Sequence, residues 1–485
     1  MLKTPLLSQT AEWSLLQDHA NDISQYPLTS ILSQTNMKSK LQLEVAGIHC
    51  DFSKNHVTQK TLELLENLCQ TRAAMQYFCG MEQGAIVNVS EKKQALHMAL
   101  RNPEYSLEPV RTIVEQALEK MKSLTRFIHE QHRNASIQHI VTLGIGGSSA
   151  GAKLLTEALE KYHVTELSFH FIESVDPFEL SSILKKININ NTVFIVSSKS
   201  FVTDETQTNF SSLCQAIGAG ENFIKTRCIA ITANEEKALS YGFSAEHILS
   251  IPDWVGGRFS IWSSVGFPLM LAIGIEHFND FLQGARAMDE HCLTEDFFQN
   301  PALLLAAMDC WYINFLHAHS RAVIVYSSQL ANLINYLQQL IMESNGKSLS
   351  MAGDPLDYHT SPIIWGGIGP NSQHSFQQLL MEGSHLVPID IILPRTTSTH
   401  FTLQHSQLVR HGLAQSEALT FGLGNKGQPH NLFSFDSICP KTLGSLLALY
   451  EHRTVLMAAL WGINPFDQPG VTLGKQLLKK EGVNS

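Results

Sequence analysis

The sequence predicts an α/β protein with two doubly wound, mainly parallel sheets, an N-terminal helical region and a C-terminal helical tail. Three observations carry this expectation. Short apolar runs alternate with helical or polar segments from about residue 139, the rhythm of a parallel sheet covered by helices on both faces. The alternation occurs twice along the chain, without a direct sequence repeat. The length of 485 residues is too great for a single core and calls for two or three domains.

In chain order, residues up to about 112 read mainly as helices. Thr61–Cys69 and Lys92–Leu100 have helical spacing, and a further helix is expected over Glu108–Gln131. The first strand series comprises His139–Gly144, Phe169–Ile172, Thr192–Ser198, Cys228–Thr232 and Ile248–Ile251, with a helix over Ala150–Lys161. A second series begins at Ala322–Tyr326, followed by a helix over Leu330–Ser344 and strands over Val387–Leu393 and Leu419–Leu423. Leu443–Leu460 reads as one long, buried or amphipathic helix. The expected division is a helical region over 1–112 that packs on the second domain, a first sheet domain over 113–275, a second over 276–442 and a tail over 443–485.

Composition narrows the function. Hydrophobic residues make up 44% and charged residues 16%, as in a large, well-buried enzyme. A net charge of −10 argues against nucleic acid or an anionic membrane as partner. The eight cysteines contain no C-x-x-C pair and read as reduced core residues rather than a disulfide framework or zinc site. The N-terminus lacks the apolar run and cleavage site of a signal peptide. The most apolar segment, Val265–Ile275, is too short to span a bilayer. A soluble, cytoplasmic protein is expected.

Several stretches carry possible chemistry. Trp254-Val255-Gly256-Gly257-Arg258-Phe259 sets one arginine beside a Gly-Gly turn among aromatic residues. Such a guanidinium faces either a buried structural acid or an anion in a site. Gly144-Ile145-Gly146-Gly147-Ser148-Ser149 links a strand to a helix, where backbone N–H groups and the helix dipole favour an anion. It is neither a dinucleotide fingerprint nor a P-loop, which leaves a hydroxyl-bearing loop for a small phosphate or sugar. Ser198-Lys199-Ser200 and Thr203 cluster at another strand end, the carboxyl edge where open α/β sheets bind ligands, although a Ser/Thr-rich helix cap has the same composition. Glu343 ends a helix stopped by Asn345-Gly346, with Gln339 one turn away on the same face; an exposed helix glutamate is the plainer reading. His374 enters a helix after Gly369-Pro370-Asn371. None of the 22 histidines has acid or cysteine partners at ligand spacing, so no metal is expected.

The run Asp253–Gly266 resembles, throughout, one signature of the glucose-6-phosphate isomerase family. Phe466-Asp467-Gln468-Pro469-Gly470-Val471-Thr472-Leu473-Gly474-Lys475 resembles the second, with Thr472 where the family has glutamate. Met342-Glu343-Ser344-Asn345-Gly346-Lys347 matches a further family block letter for letter, and Ser149 stands where aspartate is common. The resemblance covers most of the chain after about residue 95 and implies two SIS-type domains. It also implies interconversion of glucose 6-phosphate and fructose 6-phosphate, in glycolysis and gluconeogenesis, without cofactor or metal. By resemblance, Glu343 transfers the proton between the two carbons, Arg258 stabilises the intermediate, and His374 with Lys475 opens the ring. Ser198, Ser200 and Thr203, helped by Lys199, hold the phosphate, while Gly147, Ser148, Gly257, Gln339 and Gln468 complete the substrate site. Glu205 orients His374, which reaches the site of the neighbouring subunit in a homodimer. The alternatives are a broader isomerase that also takes mannose 6-phosphate and a silent sugar-phosphate sensor. A sensor would have lost one of Glu343, Arg258, His374 or Lys475, and none is replaced.

Overall fold

The computed structural model describes residues 5–34, 38–425, 427–471 and 477. Thr472 and Lys475 lie outside the described residues. The strands are β1 (Gln42–Val45), β2 (Ile48–Lys54), β3 (His139–Leu143), β4 (Ser168–Ile172), β5 (Thr192–Ser197), β6 (Cys228–Thr232), β7 (Ile248–Ser250), β8 (Ser320–Val325), β9 (Ile363–Ile368), β10 (Ile389–Pro394) and β11 (His430–Phe435). Five of them form an all-parallel sheet in the order β4-β3-β5-β6-β7. The other six form a sheet in the order β1-β2-β11-β10-β8-β9, parallel from β11 to β9. The inner strands β5 (TVFIVS), β6 (CIAIT) and β10 (IDIILP) are buried along their whole length. Continuous apolar runs of this kind suit strands covered on both faces.

The N-terminal region is not purely helical. β1 and β2 form a hairpin and extend the second sheet, β2 pairing antiparallel with β11. Ala46 and Gly47 both have positive φ, at 49° and 79°, the backbone that a two-residue hairpin turn demands. Lys92–Leu100 is not a helix. Lys93 bridges back to Asn88, and only His97–Arg101 coils, as a short 3-10 turn. The expected strand at Leu419–Leu423 is instead the end of the helix Thr402–Phe421 and a following turn. The strand that completes the sheet is β11, whose polar residues disguise it. Asn431 donates to Asp390 Oδ1 at 2.7 Å, and His430 Nε2 lies 2.9 Å from Ser416 Oγ. β9 (IIWGGI) was not anticipated either. Its Gly366 has φ +154°, and a Cβ there would lie 1.9 Å from the Val323 carbonyl oxygen.

The core is organised on the helix Pro440–Trp461, buried along nearly its whole length. It crosses the helix Phe267–Thr294 at backbone contact: a Cβ at Gly284 would lie 1.9 Å from Lys441 O, and one at Gly444 2.1 Å from Phe281 O. The helix carries Glu451, His452 and Arg453 into the interior, where charged groups survive only with partners. Arg453 donates to Asp309 Oδ2 and Asp390 Oδ2, each at 2.6 Å. Arg101 donates to both oxygens of Asp289, each at 2.7 Å, and to Glu451 Oε2 at 2.7 Å. Trp262 Nε1 donates to Glu451 Oε1, tying the aromatic stretch after Arg258 to this helix.

Candidate active site

A cleft of about 1260 Å³ opens at the carboxyl edge of the first sheet. β3 and β5 are neighbours there, and the chain leaves them in opposite directions, towards β4 and β6. That reversal creates a crevice, the usual ligand position in open α/β sheets. The loop after β3 supplies Ile145, Gly146, Gly147 and Ser148 to the cleft, and the loop after β5 supplies Lys199, Ser200, Val202 and Thr203. Gly257 and Arg258 come from the turn that follows β7, Gln339 and Glu343 from the helical segment after β8, and Gln468 from the C-terminal segment.

Glycine is required where these pieces meet. A Cβ on Gly147 would lie 2.3 Å from the Gly257 carbonyl oxygen and 2.4 Å from its carbon, a clash with backbone that cannot rotate away. Ser260 Oγ pins the same junction, donating to Gly147 O at 3.1 Å and Gly257 O at 2.7 Å. Gly146 has φ +56°, and a Cβ there would press on Gln339 Nε2 at 2.8 Å.

Arg258 is the hub. Its side chain is 4% exposed. Nε donates to Ser344 Oγ at 2.9 Å, Nη1 to Gln468 Oε1 at 2.8 Å, and Nη2 to the carbonyls of Pro465 at 2.6 Å and Asp467 at 3.1 Å. Nη1 also lies 3.2 Å from Glu343 Oε2. Burial lowers its pKa, with the Glu343 carboxylate opposing the shift. An arginine has enough range to stay charged regardless. Glu343 ends a π-helical turn, Gln338–Glu343, and accepts from Gln339 Nε2 at 3.0 Å. Its side chain is 26% exposed, so one carboxylate oxygen is held while the group still reaches the cleft.

The hydroxyl cluster after β5 is split. Ser198 is buried, its Oγ 3.0 Å from Thr203 Oγ1 and accepting from Phe201 N at 3.2 Å. Ser200 is exposed at the cleft, and Thr203 begins the helix Asp204–Ile217 without a side-chain cap. The first backbone N–H groups of that helix therefore remain available at the cleft. Lys199 borders the cleft, but its ammonium donates to the carbonyls of Asp253 at 2.9 Å and Val255 at 2.8 Å. Burial lowers its pKa, with Lys93 adding to the effect. It braces the turn that presents Gly257 and Arg258.

His374 is not brought to this cleft. It caps the short helix Gly369–Gln373 after β9 and is exposed to solvent. Glu205 does line the cleft. Among the described residues, no group of three or more His, Cys, Asp or Glu side chains is arranged to hold a metal ion, and no helix is long and apolar enough to cross a membrane.

The sequence matches the phosphoglucose isomerase model over residues 51–426 and 423–483. The chain belongs to the phosphoglucose isomerase family. It is 37% identical to glucose-6-phosphate isomerase of Shewanella baltica strain OS223, over 97% of this chain and 94% of that one. It is equally identical to glucose-6-phosphate isomerase 2 of Chromobacterium violaceum, over 98% and 93%. A crystal structure of a glucose-6-phosphate isomerase from Chlamydia trachomatis superposes with a TM-score of 0.86 at 30% identity, covering 98% of this chain and 96% of that one.

Two contributors to this phosphoglucose isomerase cleft went unassigned in the sequence. Lys347 Nζ donates to Asp467 O at 2.6 Å, Asp467 Oδ1 at 2.9 Å and Glu343 O at 3.2 Å. Burial lowers its pKa against the pull of Asp467. Ser90 and Asn464 fix the other oxygen of Asp467, at 2.6 and 3.0 Å. The C-terminal segment is thereby clamped to the helix end that carries Glu343. The i,i+4 spacing of Glu343 and Lys347 was visible, but nothing in the sequence joins Lys347 to a residue 120 positions later.

Proposed function

We propose that this chain is an aldose–ketose isomerase interconverting glucose 6-phosphate and fructose 6-phosphate. The observation that carries the reading is the carboxylate of Glu343 at 3.2 Å from the buried Arg258 guanidinium, at the edge of a hydroxyl-lined cleft in a phosphoglucose isomerase fold. Glu343 removes the C2 proton of the open-chain sugar and returns it at C1, through a cis-enediolate. The carboxylate suits a base that takes a proton from one carbon and delivers one to its neighbour, and its cleft exposure lets that proton exchange with solvent in between. Arg258 supplies fixed positive charge for the enediolate oxygen, already oriented by its bonds to Ser344, Gln468, Pro465 and Asp467. Preorganised donors of this kind need no rearrangement as charge develops. Because the guanidinium does not give up its proton, it does not quench the intermediate.

Ser200, Thr203 and the first N–H groups of the helix Asp204–Ile217 receive the phosphate, with Ser198 holding Thr203 in place. Gly147, Ser148, Gly257, Gln339 and Gln468 line the sugar. Lys199 acts by bracing the Gly256-Gly257 turn. His374, exposed on its own chain, opens the ring in the cleft of a second copy, where Glu205 orients it and Lys475 assists. The working unit is then a homodimer in the cytoplasm. The test is proton NMR of the purified protein with glucose 6-phosphate in deuterated water. Formation of fructose 6-phosphate together with deuterium at C2 of the recovered glucose 6-phosphate supports the reading, and binding without either supports a sensor.

A further inference from the structure

A second cavity, of about 650 Å³, opens at the carboxyl edge of the second sheet. Its position repeats that of the first cleft. β8 and β10 are neighbours, and the chain leaves them in opposite directions, towards β9 and β11. The second sheet thus has its own reversal crevice, where open α/β sheets hold ligands. The mechanism above makes no use of it. Its size falls within the range of small-molecule sites and far exceeds what an inorganic ion fills.

We propose that this cavity binds a small phosphorylated sugar. Ser327 and Ser328 after β8 and the run Thr396 to Thr399 after β10 give it a wall of hydroxyls, with the Oγ1 atoms of Thr397 and Thr399 3.1 Å apart. Hydroxyls of this density pair with the alternating donors and acceptors of a sugar. The 20-residue helix Thr402–Phe421 starts at the cavity without a side-chain cap, leaving its first N–H groups to an anion. Lys161 also lines the cavity, its ammonium 4.7 Å from the Tyr162 ring, and makes no ion pair among the described residues; Glu160 beside it keeps the net charge of the walls low. His405, one turn into the helix, also borders the cavity.

The experiment is calorimetric titration of the full chain with 6-phosphogluconate, a sugar-acid phosphate that cannot isomerise. Two equivalents per chain are expected. Thr397→Trp, in a surface loop, should remove one and leave isomerisation within about twofold, because it touches nothing in the first cleft. Ser200→Trp should remove the other. Lys161→Gln should weaken the second event about tenfold, the cost of losing one charged hydrogen bond; this exposed lysine carries the same test if Thr397→Trp fails to fold. A single equivalent, abolished by Ser200→Trp alone, overturns the proposal. Gluconate binding the second cavity as well as its phosphate ester overturns the assignment of ligand class. The readout is binding at a second place, so it stands or falls separately from the isomerase reading.

Discussion

Replacing Glu343 by glutamine removes a charge and a base while changing almost no volume. In the native site Glu343 Oε2 accepts from Gln339 Nε2 at 3.0 Å and faces Arg258 Nη1 at 3.2 Å. The amide keeps one oxygen, enough for one of these donors, and turns an N–H₂ group towards the cleft. Arg258 retains Ser344, Gln468 and two carbonyls as acceptors. Breaking a fully buried ion pair costs ~3–5 kcal/mol. Glu343 is a quarter exposed and the arginine stays well hydrogen-bonded, so the expected loss of stability is only about 1 kcal/mol. The chemical step should suffer far more. Loss of a general base costs ~10²–10⁴ in rate, or about 3–5 kcal/mol of barrier. The assay is deuterium exchange at C2 of glucose 6-phosphate, with 6-phosphogluconate affinity measured beside it. Exchange should fall by at least about a hundredfold while affinity stays within about threefold, since the phosphate loop is untouched. Near-normal exchange in the variant would refute the reasoning and place the base elsewhere.

Three further outcomes are expected. Gly147→Ala should lower kcat/KM by about a hundredfold or more, because relieving the 2.3 Å clash with Gly257 O parts two walls of the cleft, and ~1 Å of misplacement costs that much; steady-state kinetics showing wild-type activity would show the junction to be compliant. Mixed dimers of Glu343→Gln and His374→Ala chains should regain activity that neither parent has, and verified heterodimers as inactive as their parents would place His374 outside the shared site. Burial pushes Glu451 up to about 7 against the opposing Arg101, so the folded state holds a proton there that the unfolded chain releases near 4.5. Wild-type stability relative to Glu451→Gln should therefore fall by ~2–3 kcal/mol as pH rises from about 4.5 to 7; urea unfolding of both proteins across that range checks it, and a pH-independent difference would mean the carboxylate stays ionised throughout.

What was legible in the sequence, and what was not, follows from the range of the interactions involved. Strands buried on both faces announce themselves by continuous apolar runs, so β3, β5, β6, β8 and β10 could be read directly, as could the crevice loops at their carboxyl ends. β11 could not, because its His430, Asn431 and Ser434 are ordinary polar letters until Ser416 and Asp390 are placed beside two of them. β9 hides behind two glycines that only make sense once Val323 is known to press against Gly366. The β1–β2 hairpin was overlooked because its turn is Ala46-Gly47 rather than Asn-Gly, and alternation over so few residues is easily outweighed by neighbouring helical signals.

The cleft shows the same limit. Arg258, Glu343, Gln339 and Gln468 were each visible as types in suggestive company, and the structure brings all four together. Lys199 borders the cleft as expected, with two of its three donors already given to the Asp253 and Val255 carbonyls. Lys347 was visible and unassigned, since its clamp on Asp467 spans 120 residues. That clamp gives the cleft its division of labour. The first sheet supplies rigid backbone at β3 and β5, a helix end beyond β8 supplies Glu343, and the C-terminal segment supplies Gln468. Arg258 touches both of the latter pieces and stands beside Gly257, against which the first sheet's loop is wedged at Gly147. A guanidinium with five fixed donors can join three independent pieces of chain and still face a ligand, and a lysine with one nitrogen cannot. The requirement for arginine at 258 is thus as much one of assembly as of charge.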